Sequence, residues 1–258
     1  MEERKQERGG EYSTVISLGC FCGVAQEMER FGLRSFSAPF DWLITEEFEL
    51  VLQLIDTHFE NFFQFDALEQ QYAINPAYYF DSVNRIQIYH DFSAFQPLEK
   101  QYGEVIKKYK RRIDQFYQNI QKPSLFIRYC EHTRELRWID DHYEEIIRLL
   151  KDYNIKNDII FIGGDEYVFQ NKKIRYFHTP RTPGDHVARK AFSAHPDLQK
   201  MMEGNIIPEE QKIKNLQFYK HKQKRKYVHK VQRKIKKIFD QVFRTPYRYE
   251  KQRESSSK

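Results

Sequence analysis

Cysteine is scarce in this chain, with three in 258 residues. An odd, small number over this length does not make a disulfide framework, so the thiols read as free. No apolar run approaches the ~18–20 residues needed to span a membrane. The first residues, Met1-Glu2-Glu3-Arg4-Lys5, lead into polar sequence rather than an apolar signal core. Glycine and proline are few, at ten and nine, which leaves long stretches for regular structure. No complete dinucleotide fingerprint or phosphate-loop pattern occurs. Together these absences predict a cytoplasmic protein with reduced cysteines and no resident cofactor or metal.

Aromatics are abundant, with 17 Tyr and 21 Phe. That is enough apolar bulk for a sizeable core and excludes disorder over most of the length. Charge is unevenly spread. Residues 211–258 carry seventeen Lys and Arg against three acids, whereas the first 210 residues carry 26 basic and 34 acidic side chains. An acidic body with a basic tail divides near Pro208. The expected organisation is a disordered N-terminus over 1–12, a body over 13–208 and a tail over 209–258.

The body alternates strand and helix signals. Strands are expected at 14–19, 84–89, 125–127, 158–164 and 174–177, from short apolar or alternating runs stopped by glycine or polar residues. Helices are expected at 22–33, from 45 onward, at 98–120 and at 140–153, from apolar positions three and four apart. This order predicts an α/β fold with a mostly parallel sheet, helices on both faces, and a basic C-terminal helical tail. Ligand crevices in such sheets lie beyond the carboxyl ends of the strands. The rule places Cys20 and Cys22 after the first strand, His90 and Asp91 after the second, and Arg128, Cys130 and Glu131 after the third. Gly163, Gly164 and Asp165 follow the fourth, and His178 the fifth.

Cys22 is the sharpest candidate. It falls in the first turn of the helix after strand one, where unpaired amides stabilise a thiolate and could hold an oxyanion. Such a nucleophile needs a base and a group to orient that base. His90 is the candidate base, and Asp91, Asp165 and Asp41 are the candidate acids. A lone cysteine otherwise reads as a small core residue, and His90 as a strand-end histidine. Cys20, Cys22, Cys130 and His132 could be read as zinc ligands, but their C-x-C spacing fits poorly. Gly163-Gly164 with Arg128 could cradle an anion, although Arg128 reads more readily as the partner of a body acid such as Asp165 or Glu131.

The segment Ser17-Leu18-Gly19-Cys20-Phe21-Cys22-Gly23-Val24-Ala25 has the form S-L-G-x-x-C-x-x-A. It is followed by Gly32-Leu33-Arg34, Ser37-Ala38-Pro39-Phe40-Asp41-Trp42, Tyr89-His90-Asp91-Phe92 and Phe126-Ile127-Arg128. Together these motifs resemble a bacterial family of unknown function described as "putative papain-like cysteine peptidases", over about residues 15–164. The resemblance implies that Cys22 is the family cysteine and His90 the histidine of the H-D-F motif. It also implies a nucleophile on a helix and a histidine on a mainly antiparallel sheet, at odds with the parallel alternation. Ser17, Gly19, Asp41 and Arg128 complete the candidate binding set.

The functional expectation is a cysteine-dependent hydrolase or acyl-transfer enzyme acting on an acyl- or peptide-containing substrate. A sugar-nucleotide-dependent transferase is an alternative on fold alone. The tail supports another. Val228, Val231, Ile235, Ile238, Phe239, Val242 and Phe243 recur at spacings of three and four, among Lys230, Arg233, Lys234, Lys236 and Lys237. Such a helix could dock on the body, lie on an anionic membrane surface or bind an anionic polymer. Nucleic acid ranks last, because the body is acidic.

Overall fold

A computed structural model describes residues 10–180 and 190–244, with side chains through 239. The expected frayed terminus, most of the N-terminal segment, and Val242 and Phe243 lie outside these residues or side chains. The chain forms two compact units, Met1–Asn215 and Leu216–Lys258.

The first unit runs β1 (Thr14–Ser17), α1 (Cys22–Arg30), β2 (Leu43–Thr45), α2 (Phe48–Asp56), β3 (Leu68–Gln70), β4 (Tyr79–Asp81) and β5 (Ile86–Ile88). It continues with α3 (Leu98–Ile120), β6 (Ser124–Cys130), α4 (Thr133–Tyr153), β7 (Asp158–Gly163) and β8 (Tyr176–His178). Two short helices follow, α5 (Ala191–Ala194) and α6 (Pro196–Glu203), and then α7 (Glu209–Arg244) begins.

One sheet is wholly parallel, in the order β1-β6-β7-β8. Every residue of β6 is buried, as expected of a parallel strand covered on both sides. Its alternation divides the core. Phe126 and Cys130 pack with the apolar stripes of α2, α3 and α4, while Leu125, Ile127 and Tyr129 pack with α1, α5 and α6. The α/β fold with a parallel sheet, helices on both faces and a C-terminal helix is therefore present. Glu11 and Tyr12 are already tied down, donating their backbone N–H groups to Asn205 and Ile206 at 3.2 and 2.7 Å.

A second sheet, β2-β5-β4-β3, is wholly antiparallel. The alternating run around Ile86 and Ile88 belongs here, so His90 does not follow a strand of the parallel sheet. The reason is visible in the burial: Ile86 and Ile88 are buried while Gln87 between them is partly exposed, the half-buried pattern of an antiparallel strand. Thr45, expected to start a helix, instead ends β2, and α2 begins at Phe48.

The β1–α1 loop joins the two sheets. Gly19 O accepts from Tyr129 N of β6 at 3.0 Å, and the next carbonyl, Cys20 O, accepts from Thr45 N of β2 at 2.8 Å. Gly19 has φ of +90°, and a Cβ there would stand 2.4 Å from Thr45 Oγ1 and 2.9 Å from Arg128 Nη1. Only glycine fits both the backbone conformation and the space.

Arg128 locks the same junction. Its Nη1 donates to Leu18 O at 2.9 Å and Thr45 Oγ1 at 2.7 Å, and its Nη2 to Thr45 O at 2.7 Å. Its Nε donates to Glu135 Oε1 of α4 at 2.7 Å. The side chain is fully buried.

Within the second unit, α7 presents Val228, Val231, Ile235, Ile238 and Phe239 as exposed side chains. Among the described residues, no helix is long and apolar enough to cross a membrane.

Candidate active site

A cleft of about 440 Å³ in the first unit is lined by Cys22 and His90. Its other walls are the aromatic side chains Phe21, Trp42 and Tyr89, the carboxylates Glu46 and Glu131, and Ile44 and Gln87. Cys22 is delivered by the β1–α1 loop and opens α1, whose first turn receives no side-chain cap. A helix leaves its first amides without intrahelical partners, so donors for a developing negative charge come with the position. His90 comes from the other sheet, two residues past the end of β5. Trp42 meets the His90 ring edge to face, with centroids 6.3 Å apart. Gln26 Nε2 lies 3.5 Å from Cys22 Sγ.

The electrostatics of the thiol differ from expectation. Burial pushes the Cys22 pKa up, and hydrogen bonding to backbone only partly opposes it. Desolvation of the sulfur outweighs the hydrogen bond from Cys22's own backbone amide, so at neutral pH the resting group is a thiol rather than a thiolate. Cys20 and Cys130 are buried, and burial pushes Cys20 to about 12. Among the described residues, no group of three or more His, Cys, Asp or Glu side chains is arranged to hold a metal ion. The zinc reading of Cys20, Cys22, Cys130 and His132 has no geometry behind it.

The remaining site residues lie outside the cleft lining. Asp91 turns toward α3, forming an ion pair with Lys108 and accepting from Tyr109 Oη at 2.6 Å. Asp165 accepts from Thr133 N at 3.0 Å and Thr133 Oγ1 at 2.7 Å at the start of α4. Asp41 is buried, accepting from Arg34 Nε and Ala38 N, each at 2.9 Å. Ser17 Oγ accepts from Gly19 N at 3.2 Å. Arg128, expected as an anion ligand or a partner of Asp165 or Glu131, is paired with Glu135. It sits within β6, which extends to Cys130 rather than ending at 127. Arg128 and the Gly163 turn therefore do not form a phosphate cradle.

The carboxylates that do line the cleft, Glu46 and Glu131, have no motif to mark them. Glu131 follows β6 directly. Glu46 lies between β2 and α2 and accepts from Gln87 Nε2 at 2.6 Å.

Comparison with known proteins matches the sequence to a family. The family described as "putative papain-like cysteine peptidase" covers residues 13–158, spanning both Cys22 and His90. The chain belongs to that family. It is also similar to an uncharacterized protein of Acanthamoeba polyphaga mimivirus, 29% identical over 155 residues, covering 52% of this chain and 69% of the viral one. No solved structure matches. Cys22 opens a helix and His90 follows a strand of an antiparallel sheet, alongside a separate parallel sheet.

Proposed function

We propose that the protein is a cysteine-dependent hydrolase in which Cys22 attacks an acyl carbon and His90 moves the proton. The observation that carries this reading is the convergence of Cys22, from the β1–α1 loop, and His90, from a different sheet, on one cleft. Family membership supports a cysteine hydrolase as a class.

Because burial holds Cys22 as a thiol, the proton must leave during attack. The Cys22 S–H proton passes to a His90 ring nitrogen as the S–C bond forms. The carbonyl oxygen becomes an oxyanion facing the first-turn amides of α1. Collapse breaks the bond to the leaving group, which takes the proton from His90 and departs as an amine or alcohol. Water then gives a proton to His90 and attacks the thioester. Collapse returns that proton to sulfur and releases a carboxylic acid. Glu131 and Glu46, rather than Asp91, Asp165 or Asp41, are the acids in the cleft to orient the imidazole.

Iodoacetamide labelling tests the nucleophile. Cys22 should label faster than buried Cys20 and Cys130. Because its pKa is raised, the rate should climb with pH through and beyond the free-thiol value of ~8.5. Equal, slow labelling of all three thiols would remove Cys22 from the mechanism.

A second reading concerns the tail. The exposed apolar residues of α7 alternate with lysines and arginines, a pattern suited to an anionic membrane surface. Charge-reversing Lys230, Arg233, Lys234, Lys236 and Lys237 should abolish sedimentation with phosphatidylserine vesicles, since each nearby cation contributes about 1 kcal/mol. Undiminished sedimentation of that variant would show that the tail is not the anchor.

A further inference from the structure

Glu46 also forms a wall of a second cleft, about 240 Å³ in volume. This cleft lies where the starts of α2 and α4 come together. Its acids are Glu46, Glu47, Glu49 and Glu135, its cation is Arg134, and its apolar surface is Phe48 and Trp138. Those two rings meet edge to face at 6.4 Å.

The charges are not equivalent. Glu47 pairs with Arg85 at 3.1 Å. Glu46 and Glu49 are exposed at the rim. Glu135 has a side chain only 8% exposed, and one of its oxygens is held by Arg128 Nε. The other, Oε2, is buried without a hydrogen-bond partner. A buried acceptor left unpaired is costly, so this oxygen calls for a donor, be it a water, an ion or a ligand group. A carboxylate at the base, carboxylates at the rim and aromatic rings between them suit a long apolar stem ending in a cation.

We propose that this cleft receives a lysine or arginine side chain of a peptide substrate. The stem would lie along Phe48 and Trp138, and the head would donate to Glu135 Oε2 within reach of Glu46 and Glu49. This reading rests on the cysteine-hydrolase assignment and adds the substrate class, a basic peptide whose cationic residue lies beside the scissile acyl group. The shared Glu46 wall puts the two clefts side by side, and the thiol cleft itself adds acid and aromatic lining but no cationic side chain.

The test measures binding without turnover. Full-length protein carrying Cys22→Ala is titrated with acetyl-Ala-Lys-Ala-amide and with the norleucine analogue, following tryptophan fluorescence. The lysine peptide should bind about tenfold or more tightly, as expected for a charge-assisted contact. The advantage should shrink as salt is raised. Glu46→Gln with Glu49→Gln, both at exposed positions, should weaken the preference without lowering the melting temperature, the contact to Glu135 remaining. Glu135→Gln is the more direct variant, but it leaves Arg128 without its counter-charge.

Equal affinity for the two peptides would overturn the proposal, as would failure of both to bind at millimolar concentration. Methylammonium binding as tightly as the lysine peptide would overturn the peptide assignment. The outcome is independent of the thiol chemistry: an unreactive Cys22 would end the hydrolase reading while leaving the binding preference measurable.

Discussion

Replacing Arg128 with methionine should lower stability by about 3–5 kcal/mol, the range for removing one partner of a buried ion pair. The side chain is fully buried and makes four hydrogen bonds, to Leu18, Thr45 twice, and Glu135. Methionine fills much of the volume but supplies none of the donors. Two backbone carbonyls and a carboxylate would remain in the core unpaired. Chemical denaturation measures the loss. Pairing Arg128→Met with Glu135→Leu should restore part of it, because the second change removes the stranded charge. If Arg128→Met alone falls within ~0.5 kcal/mol of the parent, the effect expected of an ordinary surface position, the junction is not held by this residue. The same variant should also disturb Cys22, since the loop that delivers it is pinned to Thr45 and β6.

Replacing His90 with asparagine should slow acyl transfer by about 10²–10⁴-fold, the usual contribution of a general base. Hydrolysis of p-nitrophenyl acetate, followed as release of nitrophenolate, is a direct assay. His90 is exposed, so the substitution should leave thermal stability unchanged. Iodoacetamide labelling of Cys22 at alkaline pH should also be unchanged, because the ionised sulfur then needs no base. This pair of readouts separates proton transfer from damage to the fold. A full-rate His90→Asn enzyme, or one that loses alkaline labelling in parallel, would show that the imidazole is not the base.

Much of the body was legible in the sequence. The helix expected at 98–120 is α3 at Leu98–Ile120, because its apolar stripe runs for six turns and Pro123 follows its end. β7 was equally clear, since a parallel strand covered on both faces reads as an unbroken apolar run. The second sheet was not. Each of β2, β3 and β4 is three residues long, too short for alternation to stand out, while β5, where Ile86 and Ile88 do alternate, was expected in the parallel sheet. Arg128 was misplaced because an arginine after Leu125-Phe126-Ile127 looks like the end of a strand. Its burial depends on Glu135, seven positions on, beside Leu136 and Ile139 on the buried face of α4. Two opposite charges, each at a position where periodicity asks for an apolar side chain, were the available signal. Cys22 and His90 were found through motif and strand-end position. Glu131 was placed after the third strand by the same strand-end rule, whereas Glu46 was not, since a glutamate at an element boundary is ordinary in sequence and acquires meaning only from what faces it.

The loop held between β6 and β2 has a consequence for when reactivity arises. The sulfur opens the helix that follows the first strand of one sheet, and the imidazole lies just past the last strand of a meander built from the next several dozen residues. A partly folded chain would carry an idle thiol, awaiting the meander's arrival. Competence would then report that the two halves have met, making catalysis a built-in gauge of completed assembly.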